Sequence, residues 1–173
     1  MKPLLPLLLL LCSTAFAQKL VTDKKDEFTG KYVKETSVEI LSHPFKMSGY
    51  SYDFRFKSVD TDIYLNLKIM SISNSVFAIK DGNVLMLKMG NDSILKLSNS
   101  EYTISQQGKG ASGIVGSACQ GVSLYFLLSK EDIHVIKNTK IVKVRLYTTG
   151  GYSEQDVKAV ADKRVKDALK LVL

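Results

Sequence analysis

The chain has 173 residues, with 24 lysines and arginines against 17 aspartates and glutamates, so its formal net charge at pH 7 is +7. Acidic and basic residues are mixed along most of the chain, a balance that favours weak anion attraction and argues against a dedicated nucleic-acid partner. Two cysteines and two histidines are too few for the local ligand pairs of a zinc site.

Residues 1–17 have the three parts of a cleavable secretory signal peptide. Lys2 supplies the positive region, Leu4 to Leu11 the apolar region, and Ala15-Phe16-Ala17 the small residues that a signal peptidase requires. We therefore expect cleavage after Ala17 and a periplasmic or secreted protein.

Cys12 lies within this signal and offers a second way of processing, by lipid anchoring. A lipoprotein signal has a small residue directly before the cysteine, whereas Leu9-Leu10-Leu11 precedes Cys12. The sequence therefore favours cleavage after Ala17 over lipid anchoring at Cys12. Loss of Cys12 leaves Cys119 without an intramolecular disulfide partner.

The expected mature chain is long enough for one domain. Removing 17 of the 173 residues leaves 156, a length that suits one globular domain over residues 18–173. Charged or turn residues interrupt every later apolar run before it reaches the roughly 18 residues of a membrane-spanning helix. We expect no transmembrane segment in the mature chain.

Long strands are predicted where apolar and polar residues alternate with a period of two. In the run from Tyr50 to Lys57 the aromatic residues fall on one face, while Asp53, Arg55 and Lys57 fall on the other. The run from Ile63 to Ile69 repeats the pattern. Both runs predict antiparallel strands with one buried face and one wet face.

Close turn signals predict a meander of shorter strands after these two. Asp81-Gly82-Asn83 predicts a tight hairpin between strands at residues 76–80 and 84–89, because Asp-Gly readily adopts the positive φ angles of such turns. Gly90-Asn91-Asp92 predicts the next turn, into a strand at residues 94–97.

Two helices interrupt the strands. Ser129, with Asp132 three residues later, has the spacing of a capping box and predicts a short helix to about Asn138. After a strand at residues 140–148, Ser153 is the predicted N-cap of a longer, C-terminal helix. Its predicted inward stripe, at spacings of three and four, is Val157, Val160, Ala161, Val165, Ala168, Leu169 and Val172.

The segment directly after the signal has a different composition. Residues 18–35 are rich in Lys, Asp, Glu and Thr and predict a mobile extension that ends where Tyr32 to Leu41 joins the sheet. The whole pattern predicts an α+β, β-rich fold, with mostly antiparallel sheets of about eight to nine strands, a short helix and a C-terminal amphipathic helix.

A glycine motif spans residues 108–113 and has the spacing of a dinucleotide-binding loop. Dinucleotide binding needs a helix that begins at the glycines. The strand predicted at residues 122–128 leaves no room for such a crossover helix. We therefore interpret the motif as a flexible or bulged connection, in which Lys109 and Ser112 are candidates for contact with a ligand.

The sequence contains no recognisable catalytic signature. Cys119 needs a neighbouring base to act as a nucleophile, and the two histidines, His43 and His134, have no local motif around them. Convergence of carboxylates in the folded protein stays open. No catalytic residue, metal site or cofactor is predicted.

Candidates for ligand binding are basic and tyrosine side chains on predicted strands. Lys143 and Arg145 share one face of their strand, where they form a possible anion-binding patch. Tyr64, Tyr125 and Tyr147 are expected to point away from the core, where an aromatic ring can stack on a sugar or anchor a protein. The ordinary alternative for each is a solvated or second-layer position.

Four segments of the chain resemble a group of uncharacterised exported bacterial β-rich proteins. They are the expected mature start at Gln18, the motif Asp26-Glu27-Phe28-Thr29-Gly30, the strand Tyr52-Asp53-Phe54-Arg55-Phe56, and the segment from Arg145 to Tyr152. The resemblance implies a bacterial envelope or secreted setting. It implies no activity, cofactor or catalytic residue.

The expected function is that of an exported, non-enzymatic binding domain of the bacterial envelope. Its partner would be an envelope protein, a glycan or another anionic envelope component, bound through the sheet face or the glycine-rich loop. Two alternatives stay open: an exported hydrolase whose site is assembled only in three dimensions, and a carrier of a small apolar ligand.

Overall fold

The structure, a computed structural model, describes residues 18–43, 49–72, 74–110 and 118–173. The predictions on residues 1–17, with cleavage after Ala17 and no anchor at Cys12, concern residues outside these ranges. The described elements are β1 (Leu20–Lys25), β2 (Tyr32–Thr36), β3 (Glu39–Ser42), β4 (Tyr50–Val59), β5 (Asp62–Ser71), β6 (Ala78–Ile79), β7 (Val84–Met89), β8 (Ile94–Ser98), β9 (Thr103–Ile104), β10 (Gln106–Gln107), β11 (Gln120–Leu128), α1 (Lys130–Asn138), β12 (Ile141–Thr148), β13 (Gly151–Asp156) and α2 (Ala159–Val172).

Antiparallel pairing organises the strands into two main sheets. The large sheet has the order β1-β2-β4-β5-β11-β10, with β3 also paired to β4, and the small sheet has the order β13-β12-β7-β8. Strands β6 and β9 form a separate two-stranded sheet. The predicted α+β, β-rich fold with antiparallel sheets and a C-terminal helix is confirmed.

The core lies between the inner faces of the two sheets and is closed by the helices. Phe54 and Leu65 from the large sheet meet Leu85 from the small sheet, together with Ile136 of α1 and Val165 of α2. The cavity among these side chains has a volume of only about 10 Å³, which is room for about one water molecule. The core is therefore filled by its own side chains.

The short helix α1 begins with the predicted capping box. The Asp132 backbone N–H donates to Ser129 Oγ at 3.1 Å, and the Ser129 backbone N–H donates to Asp132 Oδ2 at 2.8 Å. Ile136 on its inner side is fully buried. The local sequence thus satisfies two amide groups that the helix itself leaves unpaired.

The second helix, α2, begins later than predicted. The turn at residues 149–150 sends the chain back along β12, so Ser153 lies in β13, opposite Leu146, and is not an N-cap. The helix starts after Lys158, whose side chain makes no capping bond. Val160 was wrongly assigned to the inward stripe: it lies in the first turn and is 63% exposed.

One carboxylate fastens α2 to the small sheet. Asp162 is buried, and its Oδ1 accepts the backbone N–H of Ile141 at 2.8 Å. Its Oδ2 lies 3.2 Å from Lys166 Nζ. The backbone amide at the start of β12 is therefore hydrogen-bonded to a side chain of α2, and this bond links the two elements.

The predicted hairpin over residues 76–89 is wrong. The turn forms at Gly82, which has a φ of +74°, but β6 pairs with β9, while β7 pairs with β8 and β12. The buried Asn99 provides the physical reason. Its backbone C=O accepts from Gly82 and its backbone N–H donates to Asn83, so the turn is bonded to the chain after β8.

The predicted mobile extension is also corrected. Strand β1 pairs with β2 from Leu20 opposite Thr36 to Lys25 opposite Tyr32, so this segment belongs to the large sheet. Neither of the two described helices is long and apolar enough to cross a membrane.

Candidate functional site

The outer face of the large sheet carries a network of polar side chains that crosses four neighbouring strands. We call it the outer-face network. It consists of Glu35 on β2, Arg55 on β4, Asn66 on β5, and Ser123 and Tyr125 on β11. Strand register brings these residues together, since Asn66 lies directly opposite both Arg55 and Tyr125.

Arg55 is the centre of this network. Its Nη1 lies 2.8 Å from Glu35 Oε1, its Nε donates to Asn66 Oδ1 at 2.9 Å, and its Nη2 donates to the Tyr125 hydroxyl at 3.2 Å. Three different guanidinium nitrogens therefore bind three different strands. Because the guanidinium group is planar and rigid, these bonds fix the position of the Tyr125 ring.

Asn66 lies beneath Arg55 and is fully buried although it belongs to the outer face. Its Nδ2 donates to Ser123 Oγ at 2.8 Å and to the backbone carbonyl of Leu124 at 2.9 Å. Every polar atom of this amide is thus bonded. A satisfied buried polar group of this kind favours one strand arrangement over its alternatives.

A shallow pocket of about 330 Å³ opens beside the network. We call it the tyrosine pocket; its lining residues are Lys31, Lys57, Val59, Asp62, Tyr64 and Tyr125. The tight turn between β4 and β5 places Val59 opposite Asp62, and cross-strand pairing places Lys57 opposite Tyr64. The pocket therefore combines two aromatic rings with donors and an acceptor at one end of the sheet.

The two lysines of the tyrosine pocket form no ion pair with any described residue. Glu35 lies opposite Lys57 in the register of β2 and β4, but its carboxylate binds Arg55. Similarly, Asp60 uses its Oδ1 to accept the backbone N–H of Tyr32 at 2.9 Å. Both lysines stay available to a ligand, because Glu35 and Asp60 have these other partners and Asp62 of the pocket forms no ion pair with either lysine.

The six predicted ligand-binding residues do not form one site. Tyr125 is on the outer face of the large sheet, 45% exposed. Lys143, Arg145 and Tyr147 lie on the outer face of the small sheet, on the other side of the core. Lys109 is exposed in a turn after β10, and Ser112 lies outside the described residues.

The predicted basic patch on the small sheet is neutralised by its neighbours. Lys143 Nζ lies 3.0 Å from Glu154 Oε1 and 3.4 Å from Asp156 Oδ1, and Arg145 Nε donates to Glu154 Oε2 at 2.8 Å. Hydrogen bonds from Lys143 and Arg145 hold the pKa of Glu154 below its ordinary value. Arg145 also stacks 4.8 Å from the centre of the Tyr152 ring. These cations are therefore poorly placed to attract an anion.

A larger cleft of about 550 Å³ runs between β3 and β13 and shares these paired groups. Its lining includes Lys143, which forms ion pairs with both Glu154 and Asp156 of the same cleft. It also includes His43, whose Nε2 lies 3.1 Å from Oδ1 of Asp53. Asp53 was expected on a wet face but is buried. The charged groups of this cleft are largely engaged with each other.

Gly110 of the glycine motif and Gly121 of β11 allow their backbones to pack closely. A Cβ atom on Gly110 would lie 2.0 Å from the carbonyl oxygen of Ile69, and one on Gly121 would lie 2.4 Å from the Gly110 nitrogen. Strands β10 and β11 on either side of the motif are antiparallel, whereas a dinucleotide-binding loop joins parallel strands through a helix. Residues 111–113 of the motif lie outside the described ranges.

Both histidines, the candidate bases for Cys119, contact other side chains. His43 contacts Asp53, and His134 Nδ1 lies 3.1 Å from Nδ2 of Asn138 on the same helix. Among the described residues, no group of three or more His, Cys, Asp and Glu side chains is arranged to hold a metal ion.

The chain matches no protein-family model, no curated protein and no solved structure. The resemblance to exported bacterial proteins stays a prediction.

Proposed function

We propose that the protein is an exported, non-enzymatic binding domain of the bacterial envelope that holds a saccharide in the tyrosine pocket. Export is supported by the signal-peptide pattern of residues 1–17. Saccharide binding is supported by one observation above all: Arg55 fixes the half-exposed Tyr125 beside Tyr64 at an open pocket.

The two pocket tyrosines suit a ligand that is apolar on its ring face and polar at its edge. Tyrosine offers an apolar ring and a hydroxyl group that can donate and accept hydrogen bonds. Tyr125 already accepts a hydrogen bond from Arg55, so its own hydroxyl proton is free to donate. Because the ring is held before a ligand arrives, little side-chain entropy is lost on binding.

The pocket has the size and openness for part of a longer chain. Its volume of about 330 Å³ is near the lower end of ligand pockets in proteins. The exposed Leu127, which lies opposite Tyr64, extends the apolar surface beyond it. By contrast, the core cavity has a volume of only about 10 Å³. It therefore does not support the alternative in which the protein carries a small apolar ligand.

The proposal is tested by measuring saccharide binding with the purified protein. The probes are soluble peptidoglycan strands, lipopolysaccharide core oligosaccharide and neutral mannan, each followed by calorimetry. We expect at least one probe to bind, and Tyr125→Ala to weaken that binding about tenfold or more, since stacking and a hydrogen bond are both lost.

The matched control is Tyr102→Ala. Tyr102 is 58% exposed and lies outside the tyrosine pocket, so its removal should leave the affinity unchanged. Equal losses of affinity from Tyr102→Ala and Tyr125→Ala would show that the tyrosine pocket is not the binding site. Absence of binding to every probe would contradict saccharide binding itself.

A further inference from the structure

The charge of the tyrosine pocket carries an inference about the class of saccharide, which rests on the proposed function. Two lysines and one carboxylate line the pocket, so its lining has a net positive charge. Arg55 and Glu35 in the adjoining network neutralise each other at 2.8 Å and add nothing to that balance.

We propose that the tyrosine pocket selects an acidic saccharide, whose carboxylate or phosphate group is bound by Lys31 and Lys57. Lys31 comes from the end of the β1–β2 hairpin and Lys57 from β4. The two ammonium groups, one from the hairpin loop and one from β4, provide up to six donors for one anionic group in the pocket. Charge-assisted hydrogen bonds of this kind are stronger than neutral ones.

The positions of both lysines are set by the surrounding strands. The backbone N–H of Asp60 donates to Tyr32 at 2.9 Å, and Tyr32 donates back to the Asp60 carboxylate. These two bonds join the turn end of the β1–β2 hairpin to the β4–β5 turn. Lys31 is therefore held beside the strand that carries Lys57.

Asp62 gives the pocket a complementary acceptor. It lies on the pocket wall and forms no ion pair with any described residue. A carboxylate accepts hydrogen bonds from sugar hydroxyl groups, while it would repel a second anionic group placed next to it. The pocket thus suits a sugar ring with one acidic substituent directed towards Lys31 and Lys57 and its hydroxyl groups towards Asp62.

The first arm of the test compares saccharides that differ only in a carboxylate charge. Oligogalacturonate is compared with its methyl ester, which keeps the sugar ring and loses the charge. The second arm compares phosphorylated mannan with the same mannan after phosphatase treatment. In at least one arm, we expect the acidic form to bind about tenfold more tightly at low salt and to lose that advantage as ionic strength rises.

Variants assign the charge preference to the two lysines. Lys57→Gln and Lys31→Gln should each weaken binding of the acidic form by roughly tenfold and that of the neutral form much less, so the preference for the acidic form falls. Lys137→Gln, at an exposed position on α1, is the matched control and should bind as the unmodified protein does. Thermal unfolding checks that all three variants are folded.

The outcomes separate this inference from the proposed function. If acidic and neutral forms bind equally and only Tyr125→Ala weakens them, the acidic class is overturned and saccharide binding stands. If the acidic form depends on both lysines but not on Tyr125, charge selection stands and the aromatic platform is overturned. If neither form binds in either arm, the acidic class is overturned as well.

Discussion

Arg55 donates from Nε to Oδ1 of Asn66 at 2.9 Å, across the strand pair at the centre of the large sheet. Asn66 is fully buried by this contact and by its neighbours on β11, although its side chain is on the outer face of the sheet. A polar residue on a solvent-facing side is ordinarily exposed. The bonded Asn66 amide therefore links β4, β5 and β11 through side chains on the outer face.

The network should contribute measurably to stability. Asn66→Ala removes three hydrogen bonds and leaves the Leu124 carbonyl and the Arg55 Nε–H without this partner. We expect the free energy of unfolding to fall by about 2 kcal/mol, measured by urea denaturation. Ser123→Ala, which removes only one of these bonds, should cost about 1 kcal/mol or less. Equal losses from the two variants would contradict a network centred on Asn66.

The two faces of α2 provide a second prediction with a matched pair. Val165 is 4% exposed and Val160 is 63% exposed, and both lie in the same helix. Val165→Ala should lower the free energy of unfolding by about 2 kcal/mol, because it removes buried methyl groups and leaves a small cavity. Val160→Ala should change it by less than about 0.5 kcal/mol.

Local signals explain which elements could be predicted from the sequence. The capping box of Ser129 and Asp132 is complete within four residues, and the alternation in β4 and β5 is long enough to set a period of two. Ser153 was misleading because it precedes a run that has helical spacing from Val157 onward. The strand β13 is polar on both faces, so no alternation distinguishes it, and only its pairing with β12 forms it.

The candidate site was predictable only in part, for a similar reason. Alternation in β11 correctly placed Tyr125 on an outer face. The partners of Tyr125, however, depend on the register of strands far apart in the chain, since Arg55 is 70 residues away from it. The neutralisation of Arg145 by Glu154 likewise follows from the unexpected pairing of β12 with β13. The type of a single residue does not indicate which distant strands pair or in which register.

Close backbone packing at the glycine motif gives a third prediction. Gly110→Ala would place a Cβ atom 2.0 Å from the Ile69 carbonyl oxygen, a distance that only a backbone shift can relieve. We expect a loss of about 3 kcal/mol or more, seen as a lower thermal midpoint or as failure to fold. The control is Gly90→Ala, whose new atom would be 3.5 Å from its nearest neighbour and should be tolerated. Similar midpoints for the two variants would rule out the packing role of Gly110.

The paired charges on the small sheet predict how stability responds to acid. Hydrogen bonds from Lys143 and Arg145 lower the pKa of Glu154 below its ordinary 4.5. A carboxyl group with a lower pKa in the folded state stabilises the fold fully above its unfolded pKa, and this contribution disappears as the pH falls through the folded pKa. The midpoint temperature of thermal unfolding should therefore decrease as the pH is lowered past about 4.5. Protonation of Glu154 accounts for part of this decrease.

The variant Glu154→Gln tests that assignment, because it removes the titrating group and keeps a similar shape. Its midpoint should lie below that of the unmodified protein at pH 7, and the difference should shrink steadily between about pH 5 and pH 3. Glu101→Gln is the control, because Glu101 is exposed and forms no ion pair with any described residue; its profile should follow the unmodified protein. A constant difference for Glu154→Gln across this range would mean that Glu154 supports the small sheet by packing and not by its charge.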